Sequence, residues 1–252
     1  MLLYIIILAI IQGITEFLPI SSSGHLVLFN KIFAIKGDFL LLSIVLHVAT
    51  LFSVLIVLRK EITYIVKNPF GDTGKKLIFA TIPTVIFVLL FKGIIDDSFN
   101  GNYLPICFLI TAFLIIVAEL VKNKKVKNKE LNKKTALIMG IFQGMAVFPG
   151  ISRSGSTICA GLLCGANRTE TTRFSFLMSI PIIVASLLLE VFEYAISGQA
   201  LVLIWYELLV GFVVAFLTGI VSVKFMLRLV EKHSLIWFSI YLIIISVVSF
   251  FV

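Results

Sequence analysis

Two stretches of this chain carry chemically capable side chains at matching positions. Residues 12–24 read QGITEFLPISSSG and residues 143–155 read QGMAVFPGISRSG, at a constant offset of 131 with no gap. Gln12/Gln143, Gly13/Gly144, Phe17/Phe148, Ile20/Ile151, Ser21/Ser152, Ser23/Ser154 and Gly24/Gly155 are identical pairs. Self-similarity at one fixed offset marks an internal repeat. The copies differ where chemistry is carried. The first has Glu16, Ser22 and His25; the second has Val147, Arg153 and Ser156, followed by Thr157. One copy reads as an acid/base arm and the other as an anion-binding arm.

Arg153 offers a planar fork of donors suited to phosphate oxygens. Ser152, Ser154 and Thr157 add hydroxyls, and Gly150 and Gly155 allow backbone N–H groups to form a nest. Thr157 is expected to open the returning helix, whose N-terminus favours anions. Gln12 and Glu16 are four residues apart and share one helical face. A carboxylate beside a phosphate either acts as a base or holds a divalent cation, Mg²⁺ or Ca²⁺, which take oxygen ligands shared with substrate phosphates. His25 can attack phosphorus itself, or activate Ser22 or water. The residues leave these three routes open.

Close helix packing by small residues explains Gly13, Gly144 and Ser23 without any function. It does not explain Glu16, His25 or Arg153, because an ionisable group at bilayer depth costs roughly 2.5–3.5 kcal/mol on insertion scales.

Membrane depth follows from the elements that must position these residues. The chain has 252 residues, 60% hydrophobic and 13% charged, with 23 Phe and a mean hydropathy of +1.14. Charges this sparse cannot coat a soluble surface. The net charge of +8 sits in Lys-rich stretches between apolar runs, a pattern of membrane loops and not of a nucleic-acid-binding face. Cys107, Cys159 and Cys164 lie in apolar surroundings and read as free thiols. The apolar N-terminus lacks a basic start and a cleavage site, and is read as mature protein.

Six stretches are long enough to span: 39–58, 77–95, 104–121, 174–192, 201–223 and 235–251. Residues 1–17 and 135–148 instead run into the Ser/Gly segments, each followed by a short apolar piece near 26–35 and 158–166. That is the shape of a re-entrant helix-loop-helix hairpin, tolerated only against protein or a wet cavity. Lys/Arg bias puts loops 59–76, 122–134 and 224–234 inside, and loops 96–103 and 193–200 outside. Lys31 and Lys36 are minor exceptions. The Lys residues of 122–134 serve as a topology signal and can also bind anionic lipid. The expected fold is one all-α integral membrane domain, residues 1–252: six transmembrane helices plus two re-entrant hairpins in an inverted-topology repeat. Repeat one covers about 1–121 and repeat two about 135–252, joined by loop 122–134. Such architectures place the binding site at mid-membrane between halves. His47 is expected to pack in the core, His233 to be solvated, and Glu119, Glu190 and Glu207 to be interfacial. The Ile-Pro pairs at 82–83 and 180–181 read as kinks.

The segments QGITEFLPISSSGH and PGISRSGST, with RFSFLMSIP at 173–181, closely resemble the signatures of undecaprenyl-diphosphate phosphatases of the bacitracin-resistance type, and the resemblance covers essentially the whole chain. It implies hydrolysis of undecaprenyl diphosphate to the monophosphate carrier used for peptidoglycan and other envelope polymers. It also implies a multi-pass protein of the bacterial cell membrane with the active site toward the outer face. Ser22, His25 and Arg153 fall on family catalytic positions, with Glu16 beside them; Ser21, Ser152 and Thr157 fall on supporting contacts, joined by Gln12 and Ser154. The family's (Glu/Gln)-x-x-x-Glu motif is Gln12 and Glu16 here, which leaves a Mg²⁺ or Ca²⁺ cofactor to Glu16. The implied partners are a polyprenyl diphosphate and membrane lipid, and a homodimer is compatible with this reading. A transporter or lipid flippase is the alternative, since broken-helix inverted repeats are transporter architecture. Lipid phosphatases that pair Ser-Gly-His with a later Ser-Arg…His fit poorly, because the only His after Arg153 is His233, in a loop expected inside.

Overall fold

The computed structural model describes residues 1–33, 39–122, 129–197 and 204–252. Expectations that fall on Lys36, on Lys124, Lys125 and Lys127, and on 198–203 lie outside the described residues. Within them the chain is all-helical, with eleven helices: α1 Leu2–Thr15, α2 Ser22–Phe33, α3 Phe39–Val57, α4 Arg59–Lys67, α5 Asp72–Ser98, α6 Leu104–Lys122, α7 Lys133–Met145, α8 Arg153–Leu163, α9 Arg168–Ser197, α10 Trp205–Lys232 and α11 Ile236–Phe250.

Five of these, α3, α5, α6, α9 and α10, are long and apolar enough to cross a membrane. The sixth expected span, 235–251, is α11, a shorter apolar helix of 15 residues. Pro83 and Pro181 lie inside α5 and α9, which continue through them. One helix has no counterpart in the sequence reading. The charged stretch after α3, read as loop, holds α4, whose Arg59, Lys60 and Lys67 are exposed. Its charges hid its helical period.

Large apolar side chains such as Leu89, Phe113, Leu188 and Val221 face outward. With lipid outside, apolar burial gives helices little reason to associate, so close packing and interhelical hydrogen bonds must. The structure supplies both. Ser53 Oγ donates to the Phe216 carbonyl at 2.8 Å, Thr84 Oγ1 to Gly140 at 3.0 Å, and Ser222 Oγ to Ile14 at 2.8 Å. Each such bond contributes about 0.6 kcal/mol.

The packing repeats at the sequence offset. Helix α1 packs on α10, and α7 packs on α5. A Cβ on Gly13 would lie 2.8 Å from the Ala215 carbonyl oxygen, and one on Gly144 would lie 3.4 Å from the Thr84 Cα. Gly144 follows Gly13 by 131 residues, and Ala215 follows Thr84 by the same number. Equivalent glycines therefore sit against equivalent residues of the opposite half.

The largest buried cluster gathers Phe17, Phe108, Ile158 and Phe176 around the meeting point of the two Ser/Gly loops. At one end of the molecule, Glu119 of α6 takes Arg168 Nη2 at 2.7 Å and the Leu235 N–H at 3.0 Å. This carboxylate, expected to be interfacial, ties α6, α9 and the start of α11 together. Glu207 is buried and folds back on the Ile204 N–H at the start of α10. Cys107, Cys159 and Cys164 are free thiols, as expected.

Candidate active site

The loops 16–21 and 146–152 turn between short helices and touch each other. Gly24 and Gly150 form the contact: a Cβ on Gly24 would lie 2.7 Å from both the Cα and the N of Gly150. Gly150 itself has φ +95°, a conformation that glycine adopts without penalty. Its equivalent in the first copy is Pro19, whose ring holds φ negative. The first loop takes its left-handed residue two positions later, at Ser21, with φ +69°. A non-glycine residue there carries about 1–2 kcal/mol of strain. Four bonds to Ser21 hold it. Its Oγ accepts the Gly150 N–H at 3.1 Å and the Gly24 N–H at 3.3 Å, and its carbonyl accepts the His25 N–H at 3.2 Å and Nδ1–H at 2.7 Å.

The hydroxyl ladder follows the offset too. Ser152 Oγ accepts the Gly155 N–H at 3.1 Å, as Ser21 does from Gly24, and the Ser152/Ser154 hydroxyls lie 3.2 Å apart against 3.5 Å for Ser21/Ser23. Replacing Gly24 with alanine should push the loops apart. Thermal melting of the detergent-solubilised protein should show a loss of about 1–3 kcal/mol, the range for overpacking. Wild-type melting by Gly24→Ala would mean that the loops do not pack this closely.

The buried carboxylate of Glu16 is the centre of the cluster. Oε2 accepts from Gln12 Nε2 at 2.9 Å and from Ser22 Oγ at 2.6 Å, and Oε1 accepts from Arg153 Nη2 at 2.5 Å. Ser22 and Arg153 are equivalent positions of the two copies, so the break in symmetry aims a hydroxyl and a guanidinium at one carboxylate. Arg153 Nη1 and Gln12 Oε1 are buried with no partner: a donor and an acceptor are spare beside Glu16. His25 is buried one turn beyond Ser22 on α2, with its Nε2 2.6 Å from the Tyr241 hydroxyl and its Nδ1 on the Ser21 carbonyl.

The second-copy hydroxyls sit differently from expectation. Helix α8 opens at Arg153 with Ser152 as its N-cap, not at Thr157. A Ser hydroxyl before the first turn satisfies a free N–H, and this places the start four residues earlier. Thr157 lies one turn inside, donating to the Arg153 carbonyl at 2.8 Å and contacting Ser175 Oγ at 2.7 Å; Ser154 Oγ donates to the Leu18 carbonyl at 2.8 Å. The N–H groups of Gly150 and Gly155 are already bonded to Ser21 and Ser152. The nest expected to cradle phosphate is therefore occupied by hydroxyls that join the loops. Ser152, Ser154 and Thr157 shape the site, while Gln12, Glu16, Ser22 and Arg153 converge in it.

Sequence reasoning missed two groups. Tyr241 is the one tyrosine of α11, an apolar helix that also carries Trp237, Phe238 and Phe250, and nothing in that stretch singles it out. Glu190, expected to be interfacial, is half-buried on α9 and has an unpartnered carboxylate oxygen. Half-buried His47 bonds the Ser43 carbonyl through Nδ1 at 2.9 Å.

The sequence model for bacitracin resistance protein BacA matches residues 5–248. The chain belongs to the BacA family. Similar proteins include the undecaprenyl-diphosphatase of Carboxydothermus hydrogenoformans, 42% identical over 244 residues, covering 96% of this chain and 94% of the relative. Undecaprenyl-diphosphatase 4 of Bacillus thuringiensis subsp. konkukian is 42% identical over 236 residues, covering 93% and 91%. The undecaprenyl-diphosphatase of Bacteroides fragilis is 39% identical over 256 residues, covering 97% and 95%. This BacA family member is thus a multi-pass membrane protein of a bacterial family, and the cluster around Glu16 lies well inside the matched region.

Proposed function

We propose that this BacA family member cleaves undecaprenyl diphosphate to undecaprenyl phosphate and inorganic phosphate at the Glu16 cluster. The observation that carries this reading is one buried carboxylate holding both Ser22 Oγ and the Arg153 guanidinium. A hydroxyl hydrogen-bonded to a base is the arrangement of an activated nucleophile, and a guanidinium beside it stabilises charge on a transferred phosphoryl group.

The terminal phosphate draws Arg153 toward its oxygens and frees Glu16 to take the Ser22 proton. Ser22 Oγ bonds to the terminal phosphorus as the bond from that phosphorus to the bridging oxygen breaks, and undecaprenyl phosphate leaves with the bond's electron pair. Water then bonds to phosphorus, the bond from phosphorus to Ser22 Oγ breaks, and Ser22 recovers a proton as phosphate departs. His25, one turn along α2, takes the proton of that water. A Mg²⁺ or Ca²⁺ ion fits the chemistry of the spare acceptor. Gln12 Oε1 and the Glu16 carboxylate are hard oxygen donors of the kind such ions share with phosphates and water. When bound, the ion would neutralise diphosphate charge.

The finer architecture belongs to the same reading. Helices α3, α5, α6, α9, α10 and α11 cross the membrane, and the α1/α2 and α7/α8 hairpins enter from opposite faces as halves of an inverted repeat within one domain. The exchanged packing of α1 on α10 and α7 on α5 supports this, as does the Lys-rich linker read as inside. The lipid tail lies among the helices, and the diphosphate reaches the loops from the outer side.

Purified protein should release phosphate from undecaprenyl diphosphate with Mg²⁺ or Ca²⁺, lose that activity to chelation, and regain it when the ion is returned. Either ion should also raise the melting temperature of wild-type protein and leave that of Glu16→Ala unchanged. Acid quenching during turnover should trap phosphoserine at Ser22. Lipid movement across vesicles with no phosphate release would turn the reading to transport, and phosphohistidine would move the attack to His25.

A further inference from the structure

The His25 ring is held by two bonds that together define its protonation. Nδ1 lies 2.7 Å from the Ser21 carbonyl oxygen, which can only accept, so Nδ1 carries a proton. In the neutral ring Nε2 is then the basic nitrogen, and the Tyr241 hydroxyl donates to it at 2.6 Å. The tyrosine ring also lies parallel to the imidazole, with 5.6 Å between centroids and 7° between planes. Phe108 of α6 meets the imidazole edge-on at 5.5 Å. The groups facing the ring include the Ser21 and Ile20 carbonyls on its own segment, Phe108 from α6 and Tyr241 from α11, and none of these is charged. His25 is 2% exposed, whereas Tyr241 is 39% exposed, so the hydroxyl lies between a sealed imidazole and the edge of α11.

The repeat shows that this is not a packing device common to both halves. Stepping 131 residues from His25 gives Ser156, and stepping back from Tyr241 gives Ile110. The second copy has neither ring, and Ser156 Oγ has no partner. The bonded pair occurs only beside the copy that carries Glu16 and Ser22.

We infer that Tyr241 is a positioning residue for His25: its hydroxyl and ring, 216 residues away in sequence, hold the imidazole in its Nδ1–H form with Nε2 as the basic nitrogen. This rests on His25 serving the phosphatase reaction proposed above. Its role is to hold the imidazole in one orientation, with the hydroxyl capping Nε2 until the water that releases phosphate takes its place there. The tautomer itself is fixed from the other side, by the Ser21 carbonyl on Nδ1, the ring nitrogen that does not react.

Tyr241→Phe keeps the stacked ring and removes only the hydroxyl. With ¹⁵N-histidine labelling, the Nε2 signal of His25 should move toward that of a free basic nitrogen, while Nδ1 stays protonated. The kcat for phosphate release should fall about tenfold, matching the loss of one good hydrogen bond, with KM within about twofold. Tyr241→Leu, which also removes the stack, should lower kcat further. Unchanged ring signals in Tyr241→Phe overturn the inference, whether or not stability falls, and so does a moved Nε2 signal with wild-type kcat. A rise in KM with kcat unchanged also overturns it, making Tyr241 a substrate contact. Wild-type protein that releases no phosphate at all would sink the phosphatase reading instead, and the ¹⁵N signals would still decide whether Tyr241 holds the ring.

Discussion

Arg153→Lys should lower kcat for phosphate release by about a hundredfold to a thousandfold, the range for losing a preorganised charge stabiliser, while the protein still folds. Lysine keeps the charge but loses the fork. Arg153 holds Glu16 through Nη2 and has Nη1 spare and buried beside it. That geometry lets one guanidinium keep the carboxylate oriented and present a second donor to a phosphate oxygen. A point-charge ammonium cannot hold both in fixed directions. The measurement is steady-state phosphate release, with the melting temperature as a control for folding. Activity within about tenfold of wild type would mean that only charge is needed at this position, and the fork argument would fail.

Glu16→Gln should have the second large effect, and it should split into two parts. The amide cannot take the Ser22 proton, so kcat should fall about a hundredfold to ten-thousandfold, the range for losing a general base. It also leaves Arg153 without its counter-charge; both side chains are largely sequestered, at 15% and 4% exposure. Breaking one side of a buried ion pair destabilises by about 3–5 kcal/mol. Removing both charges in Glu16→Gln with Arg153→Met should recover much of that stability, since no buried charge is then left unpaired, and none of the activity. If the double variant regained phosphate release, the pair would be structural only. If Glu16→Gln melted like wild type, the carboxylate would not be the counter-ion that the geometry makes it.

The repeat was legible because its chemistry is local: thirteen consecutive residues carry the similarity, and the offset carries through to the helix contacts. Glu16, His25 and Arg153 could be singled out because an ionisable group in an apolar setting needs a reason. What escaped the sequence depends on distance or on competition between roles. Tyr241 reaches His25 from the last helix, and no spacing rule links residues so far apart. Ser152, Ser154 and Thr157 are hydroxyls near an arginine, which reads as a phosphate cradle. A hydroxyl serves equally well as a cap or an interloop tie, and only the packed loops show which. Helix α4 was obscured because charges that mark a loop by composition also stripe a surface helix. Helix α8 starts four residues before Thr157 because the hydroxyl cap at Ser152 outweighs the arginine and glycine that follow it.

The bond between Glu16 and Arg153 spans 137 residues of chain, and this bears on how the protein is made. Glu16 emerges from the ribosome 137 residues ahead of Arg153, at the C-cap of a helix too short to span the bilayer. At roughly 5–20 residues per second, its partner follows on the order of ten seconds later. Over that interval the nascent first hairpin must either stay near the lipid headgroups or shelter its carboxyl group against the insertion machinery. If the hairpin is re-entrant as proposed, its final seating in the bilayer is coupled to translation of the second half, and a chain stalled before residue 153 presents an unmatched acid to membrane quality control.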